Sequence, residues 1–173
     1  MNDPGFPGQH TTTTTVTETK AVTTLRFDPS YVKILPGWMK IICIALDLLG
    51  FICIEVSGFA WVSRGSYFNT VAMIGFWFTG FLLAFYLFHV CEKFYRVPWL
   101  HIEMFFNAIW AVLYLIAACL AATFRVEAYS AAAFFGFCAM CAYGFDAFLK
   151  FKDVRAGAIA QGTRVQSATV SPA

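Results

Sequence analysis

Hydrophobic positions fill most of the central part of the chain, in four long runs separated by short polar segments. The runs cover residues 41–62, 67–91, 99–123 and 128–149. Each run is 22–25 residues long, and since a helix rises about 1.5 Å per residue, each can cross a hydrocarbon core of roughly 30 Å. The connections of four, seven and four residues force each helix to return beside its predecessor. The pattern predicts an all-α membrane protein, a four-transmembrane-helix up-down bundle.

Composition supports the membrane assignment and limits the partners. The 173 residues are 60% hydrophobic, whereas soluble domains contain about 45–50% apolar residues. The lipid bilayer is therefore the first expected partner. The net charge is only +2, and the basic residues stand beside the runs instead of forming a patch. This distribution argues against a nucleic-acid partner.

The chain is expected to form one folded domain between two tails. Residues 1–26 are rich in Thr, Gly and Pro and have no periodic apolar pattern, which is typical of disorder. Residues 153–173 are rich in small residues and are also expected to be disordered. The domain, with all four spans, then covers residues 27–152.

A short helix is predicted between the N-terminal tail and the first run. Asp28-Pro29 favours a helix start, and Pro36-Gly37 favours its end. Phe27, Tyr31, Ile34 and Leu35 fall on one face of such a helix, so we expect it to lie in the membrane interface. Tyr31 and Ile34 also match the tyrosine-x-x-bulky sorting signal that coat adaptors read. Membrane packing is the favoured interpretation, and the sorting signal is its alternative.

Orientation is predicted from the basic residues near the span ends. Eight lie on one side: Arg26, Lys33, Lys40, Lys93, Arg96, Lys150, Lys152 and Arg155. Arg64 and Arg125 lie on the other side. Because cytoplasmic loops carry the excess of Lys and Arg, both termini and the middle loop are expected in the cytoplasm.

Every charged residue within the four runs is acidic: Asp47, Glu55, Glu103 and Asp146. A carboxylate at bilayer depth is costly unless it is paired, hydrated or protonated. Asp146 lies four residues before Lys150, the spacing of a helical ion pair. Glu103 is close enough to the end of its run to reach the interface, His101 or His89.

Asp47 and Glu55 both lie inside the first run, away from its ends. On a helix they are 80° apart and about 12 Å apart along the axis. Gly50 and Gly58 share the arc of Asp47, and such a strip of small and polar residues should face other helices. One interpretation makes the two acids an ion path or a docking point for a partner's basic residue. The other makes them protonated or hydrogen-bonded contacts between helices.

Small residues recur in the fourth run. Ala128, Ala132 and Gly136 are spaced by four residues, which lets helix backbones approach closely. Internal packing against the first or third span is the favoured interpretation. Self-association into a homo-oligomer is the alternative.

Candidate chemistry is sparse. Cys91 is predicted to end the second span beside Lys93, a setting in which S-acylation is common, and a buried helix-end thiol is the alternative. Cys138 and Cys141 share a helix face but lack further ligands, so no metal site is predicted. No arrangement of Ser, His, Asp or Cys suggests catalysis, and no cofactor is expected.

Three segments together resemble a known family. They are FDPSYVKILPGWMKII at residues 27–42, YRVPW at residues 95–99, and AAAFFGFCAMCAYGFDAF at residues 131–148. In order and spacing they are similar to the MARVEL domain, especially its plasmolipin and chemokine-like-factor-related branches. The resemblance implies vesicle trafficking, organisation of membrane domains, or stabilisation of other membrane proteins. It also implies an acidic position in the first span, which Glu55 matches best.

The leading functional hypothesis is therefore a non-enzymatic organiser in the plasma membrane, in endosomal–Golgi vesicles, or in both. Its expected partners are lipids and other membrane proteins, through helix contacts. One alternative is a small ion or proton channel or transporter that uses Asp47 and Glu55. Another is a cell-junction component, for which the outward loops are poorly suited because they are only about four residues long.

Overall fold

The computed structural model describes residues 29–94 and 97–158, and within these ranges all regular structure is helical. A 3-10 helix at Pro29–Lys33 precedes five α-helices. These are α1 (Leu35–Val56), α2 (Ser63–Leu87), α3 (Val90–Lys93), α4 (Trp99–Ala122) and α5 (Glu127–Arg155). Four of the five are long, and α3 is a single turn. The predicted tail at residues 1–26 and most of the one at 153–173 lie outside the described residues.

Three of the four long helices are long and apolar enough to cross a membrane by length and composition. They are α2, α4 and α5. Helix α1 is not among them, and it carries three charged residues, Lys40, Asp47 and Glu55. The described part of the chain therefore contains three candidate spans, where the hydrophobic pattern predicts four.

The helix boundaries differ most from the prediction at α1, which begins earlier and ends earlier. Ser57 caps its end, and Gly58 follows with a φ of +74°. This left-handed conformation, which glycine adopts without strain, ends many helices. Gly58 is exposed in the turn after α1, so its expected place on the arc of Asp47 is wrong.

The other helices keep at least one boundary closer to the prediction. Helix α4 matches its predicted run to within one residue, whereas α2 starts and ends four residues earlier than predicted. Helix α5 continues six residues beyond its predicted end, to Arg155. Pro36 does not end a helix. It lies in the first turn of α1, where its missing N–H removes no hydrogen bond.

The predicted interfacial helix is a 3-10 helix with a different orientation of its side chains. Tyr31 is buried, while Ile34 and Leu35 are about half exposed. These residues were predicted to share one membrane-facing face with Phe27, which lies outside the described residues. Tyr31 instead packs inward, on the bundle.

Small residues make close helix contacts possible. Helix α4 packs along α5, α1 packs on α5 and α2, and α2 also touches α4. Gly50 and Gly136 flank the ring of Phe68: a Cβ would lie 2.8 Å from the ring at Gly50 and 3.0 Å at Gly136. Ala132 is fully buried, and Ala128 is half-buried. These positions favour the internal-packing interpretation of the strip on α5 over self-association.

Contacts between helix ends define two ends of the bundle. At the first, Lys40 of α1 and Glu103 of α4 meet Lys150 of α5, and we call this the lysine end. At the opposite end, the Arg64 guanidinium donates a 2.8 Å hydrogen bond to Thr123 Oγ1. The Tyr129 hydroxyl also donates to the Phe59 carbonyl there, at 2.8 Å. We call this the arginine end.

Candidate functional site

A buried carboxylate joins all four long helices near the middle of the bundle. Asp47 of α1 is completely buried. Tyr114 of α4 donates a 2.5 Å hydrogen bond to Asp47 Oδ1, and Tyr143 of α5 donates one of 2.7 Å to Oδ2. Thr79 of α2 lies 3.1 Å from the Tyr143 hydroxyl, within hydrogen-bond distance. We refer to Asp47, Thr79, Tyr114 and Tyr143 as the Asp47 cluster.

A glycine makes room for the Asp47 cluster. A Cβ on Gly75 of α2 would lie 2.7 Å from Trp110 Nε1, 2.9 Å from the Tyr143 hydroxyl and 3.1 Å from Asp47 Oδ2. The Trp110 indole N–H donates to the Val71 carbonyl at 3.0 Å, which fixes the ring beside the cluster. Any side chain at position 75 would therefore displace the hydrogen-bonded groups.

The Asp47 cluster is held together by hydrogen bonds. Among the described residues no Lys, Arg or His nitrogen lies within 4.0 Å of the carboxylate. Both oxygens accept from phenols, and hydrogen bonds satisfy a buried acceptor. This geometry is that of an inter-helix contact, the second of the two interpretations of Asp47.

A second cluster lies at the lysine end and contains four charged side chains, which we call the ionic cluster. Lys40 forms an ion pair with Glu103, and its Nζ also lies 4.0 Å from Asp146 Oδ2. Lys150 Nζ lies 3.3 Å from Glu103 Oε1. All four side chains are buried. Two ammonium groups and two carboxylates make the set neutral, as burial of charge requires.

Neutral groups complete the ionic cluster. The Tyr86 hydroxyl donates to Glu103 Oε2 at 2.8 Å. The Tyr86 ring lies 5.3 Å from Lys40 Nζ and 5.6 Å from Lys150 Nζ, within reach of a cation–π attraction. Asn107 donates to Asp146 Oδ2 at 2.7 Å. Asp146 Oδ1 is buried without a hydrogen-bond partner among the described residues.

The ionic cluster corrects three predictions. Asp146 does not pair with Lys150: it lies near Lys40, because Lys150 points to Glu103 on the neighbouring helix. Glu103 does not reach the interface, since it is completely buried. Lys40 and Lys150, which were counted as flanking bases, are buried counter-ions for these acids.

Glu55 is separate from both clusters. Its side chain is exposed, so it does not share the buried environment of Asp47, although it does form a hydrogen bond between helices, as the second interpretation of the two acids expects. Glu55 is the next-to-last residue of α1, and its Oε1 accepts a 2.6 Å hydrogen bond from Asn69 Nδ2 of α2. Both side chains line an open groove of about 550 Å³ at the arginine end.

Tyr31 and Cys91 pack together beside the ionic cluster. The Tyr31 ring stacks on the Tyr86 ring at a centroid distance of 4.6 Å, and Cys91 is buried against the same pair. Burial, and then the charge of Glu103, raise the pKa of the Tyr31 hydroxyl well above its usual range. The same two causes raise the pKa of Cys91 to about 11.

This packing bears on two candidate modification and sorting sites. An adaptor needs an exposed Tyr31, and S-acylation needs an accessible, reactive Cys91 thiolate. The burial of both side chains argues against an adaptor signal at Tyr31, although Ile34 is about half exposed, and it favours a structural thiol for Cys91. All six cysteines are free, and no group of three or more candidate metal ligands occurs within residues 29–94 and 97–158.

Sequence reasoning missed most partners of the buried acids. They are Lys40, Lys150, Tyr86, Tyr114, Tyr143 and Asn107. One usable signal was present: Tyr114 and Tyr143 stand deep within their runs, whereas membrane tyrosines usually lie at the interface. A buried phenol needs an acceptor, and Asp47 stands at a comparable depth in its own helix.

Comparison with known proteins gives one family match. No solved structure matches the chain. The family model of MARVEL, a membrane-associating domain, matches residues 32–149. The matched region contains the Asp47 cluster and all of the ionic cluster except Lys150, which follows directly. Since the match covers more than half of the 173 residues, the chain belongs to the MARVEL family of membrane-associating domains.

Proposed function

We propose that this chain is a non-enzymatic, four-span membrane protein that organises membrane domains, vesicle traffic or the stability of partner membrane proteins. Helix α1 supplies the fourth crossing. Its two most deeply placed charges, Lys40 and Asp47, are buried against groups of other helices, so α1 can lie in lipid without exposing them. The bundle is then up-down, with the lysine end and both termini in the cytoplasm.

The observation that carries the proposal is the division between a polar interior and an aromatic exterior. The deeply buried charges face one another or phenols, as described above. The outer surface carries large apolar side chains that are more than half exposed, including Trp77, Phe81, Phe105, Phe134 and Phe148. Such a surface can contact lipid chains and the helices of other proteins. Its partners are therefore in the membrane.

The positions of the two acids favour an organiser over a channel. Asp47 accepts hydrogen bonds from two tyrosines inside the bundle, whereas Glu55 is exposed at the arginine end. An ion path that uses both acids would have to break the Asp47 cluster. A junction role is less favoured because the turns at the arginine end hold few residues, 57–62 and 123–126.

The compartment and family branch are part of the proposal. We place the protein in the plasma membrane, in endosomal–Golgi vesicles, or in both, and in the plasmolipin or chemokine-like-factor-related branch. The support is the family membership together with the three motifs described above. The closest residue-level support is the acidic position that Glu55 occupies.

Quantitative surface labelling tests the organising role. Cells depleted of the protein should show altered surface levels of a limited set of membrane proteins, and wild-type protein should restore them. The full chain with Glu103→Ala, which should not fold stably, serves as the control that fails to restore them. Unchanged surface levels after complete depletion would reject the proposal.

Protease access tests the orientation. A tag on either terminus should be cleaved only after the plasma membrane is permeabilised. Cleavage of either tag on intact cells would contradict a cytoplasmic position of both termini.

A further inference from the structure

The groove at the arginine end is distinct from both buried clusters. It lies between α1 and α2, has a volume of about 550 Å³, and includes Glu55, Trp61, Asn69 and Ile74 in its lining. This volume is within the range of small-molecule sites in proteins. The lining includes both polar and apolar side chains, so the groove suits an amphiphilic ligand.

The polar part of the lining carries a negative charge without a counter-ion among the described residues. Among the described residues no Lys, Arg or His nitrogen lies within 4.0 Å of the Glu55 carboxylate. Arg64 follows at the same end, but its guanidinium donates a hydrogen bond to Thr123, the residue directly after α4. Since Glu55 Oε1 already accepts from Asn69, Oε2 is left for a ligand. A cationic group is therefore the complementary one.

The remaining groups of the groove call for a hydrogen-bond donor. Asn69 Nδ2 is used by Glu55, while Asn69 Oδ1 is buried without a partner among the described residues. The Thr70 hydroxyl donates to the Ser66 carbonyl. Trp61 is 80% exposed beside these acceptors, and an indole face attracts cations. An ammonium group with N–H donors satisfies all of these features.

We propose that this groove binds the primary ammonium headgroup of phosphatidylethanolamine, with an acyl chain lying along Met73 and Ile74 of α2. The proposal rests on the membrane placement of the proposed function. A choline headgroup fits less well because its trimethylammonium has no N–H to donate to Glu55 or Asn69. A lysine of a partner's helix has the same donors, but lipid is the abundant occupant of a groove open to the bilayer.

Photo-crosslinking in nanodiscs tests this site. The full-length protein is placed in phosphatidylcholine nanodiscs that contain a small amount of photoactivatable phosphatidylethanolamine, and labelled peptides are identified by mass spectrometry. Labelling should concentrate on the α2 peptide that contains Met73 and Ile74. Glu55→Gln should reduce it about tenfold, the factor expected when a charge-assisted hydrogen bond is lost. Its amide oxygen can still accept from Asn69, so the fold should be kept.

Two further variants and one further probe complete the test. Glu127→Gln removes an exposed carboxylate at the same end, outside the groove, and should leave labelling unchanged. Ile74→Trp should fill the groove without touching Glu55, and should also reduce labelling. Photoactivatable phosphatidylcholine should label wild type and Glu55→Gln equally and weakly. Equal labelling of wild type and Glu55→Gln by the ethanolamine probe would overturn the proposal, as would equally strong labelling by the choline probe.

A competitor distinguishes lipid from protein as the occupant. A transmembrane peptide with a lysine at its interface should not displace the ethanolamine probe at equimolar amounts. Displacement that depends on this lysine would assign the groove to a partner helix and overturn the lipid site. Failure here is separable from failure of the organising role. Loss of Glu55-dependent labelling leaves the surface-labelling result untouched, and unchanged surface levels leave the labelling result untouched.

Discussion

The Asp47 cluster and the ionic cluster bury acids in the same bundle by different means. Asp47 lies near the middle of α1 and accepts hydrogen bonds from two phenols. Glu103 and Asp146 lie near the lysine end and have Lys40 and Lys150 as counter-ions. Each cluster recruits side chains from all four long helices. Both therefore specify how the four helices pack together.

The difference reflects what each depth of a membrane bundle can provide. A lysine has a long stem and can reach a buried acid from a position near the end of a span, with its charge close to the interface. Near the middle, a cation would itself need a counter-ion, whereas a phenol is apolar apart from its hydroxyl. We infer that removing one charge from the ionic cluster lowers the stability of the fold most. Changing the shape of the Asp47 cluster, or removing one of its hydroxyls, should lower stability less.

The largest expected effect is that of Glu103→Ala. It leaves two buried ammonium groups without their shared carboxylate, and breaking a buried ion pair in this way costs about 3–5 kcal/mol. Thermal unfolding of the purified full chain in detergent should show the loss. Glu127→Ala removes an exposed acid and should change stability by less than about 0.5 kcal/mol. Similar melting temperatures for the two variants would contradict the buried ion pairs of the ionic cluster.

Next in size is the effect of adding one methyl group to the Asp47 cluster. Gly75→Ala places a Cβ against Trp110, Tyr143 and Asp47 and should cost about 1–3 kcal/mol through overpacking. Gly80→Ala lies on the same helix, where a Cβ would meet nothing within 4 Å. It should be neutral or stabilising by up to about 1 kcal/mol, since alanine favours helix. The same measurement checks both, and equal effects would contradict the close packing around Asp47.

A smaller effect is expected from removing one phenol hydroxyl. Tyr143→Phe or Tyr114→Phe keeps the ring but removes one donor to Asp47, with an expected cost of about 1–2 kcal/mol. Combining each change with Asp47→Asn gives a double-mutant cycle. The coupling energy with Asp47→Asn should differ clearly from zero for both tyrosines. For the exposed pair Glu55→Gln and Cys119→Ser, which share no contact, the effects should add.

The smallest expected effect concerns the Cys91 thiol at the edge of the ionic cluster. Its pKa of about 11, against an ordinary value of 9.0, leaves about 100-fold less thiolate at pH 8. Any stability from this protonated thiol is present below pH 9 and is lost as the pH rises through 11. Alkylation followed by peptide mass spectrometry should therefore be slow at Cys91.

Uncovering the thiol sharpens this prediction. Tyr31→Ala should speed alkylation at Cys91, because Tyr31 packs against it, while Phe94→Ala at an exposed position should not. Fast alkylation of Cys91 in the wild-type chain would instead support its candidacy for S-acylation. A palmitate that is lost in Cys91→Ser cells would do the same.

The number of long helices was predictable from the sequence, but their ends were only partly so. Hydrophobic length sets how many helices form, and Trp99 marks the start of α4 as predicted. Phe59, Trp61 and Val62 remain apolar after α1 has ended at Val56, so composition conceals that boundary. The Ser57-Gly58 pair was the local signal for it, because a glycine commonly follows a helix end.

The polar clusters were much less predictable. The cost of a buried acid identified Asp47 as a residue that must have partners, but the partners lie 67 and 96 positions away along the chain. Lys150 illustrates the limit: its spacing from Asp146 suggested a pair within the helix, and packing turned it toward Glu103 instead. Spacing describes one helix, whereas these contacts depend on how four helices pack.

The most direct test of the central claim is ion flux through the purified full chain in liposomes. In this account, no ion path passes through the Asp47 cluster and the protein acts through its outer surface. Proton and cation flux should therefore not exceed that of empty liposomes, at neutral or acidic pH. Asp47→Asn and Glu55→Gln should leave this background unchanged. Flux well above the background that either substitution abolishes would contradict the account and favour a channel.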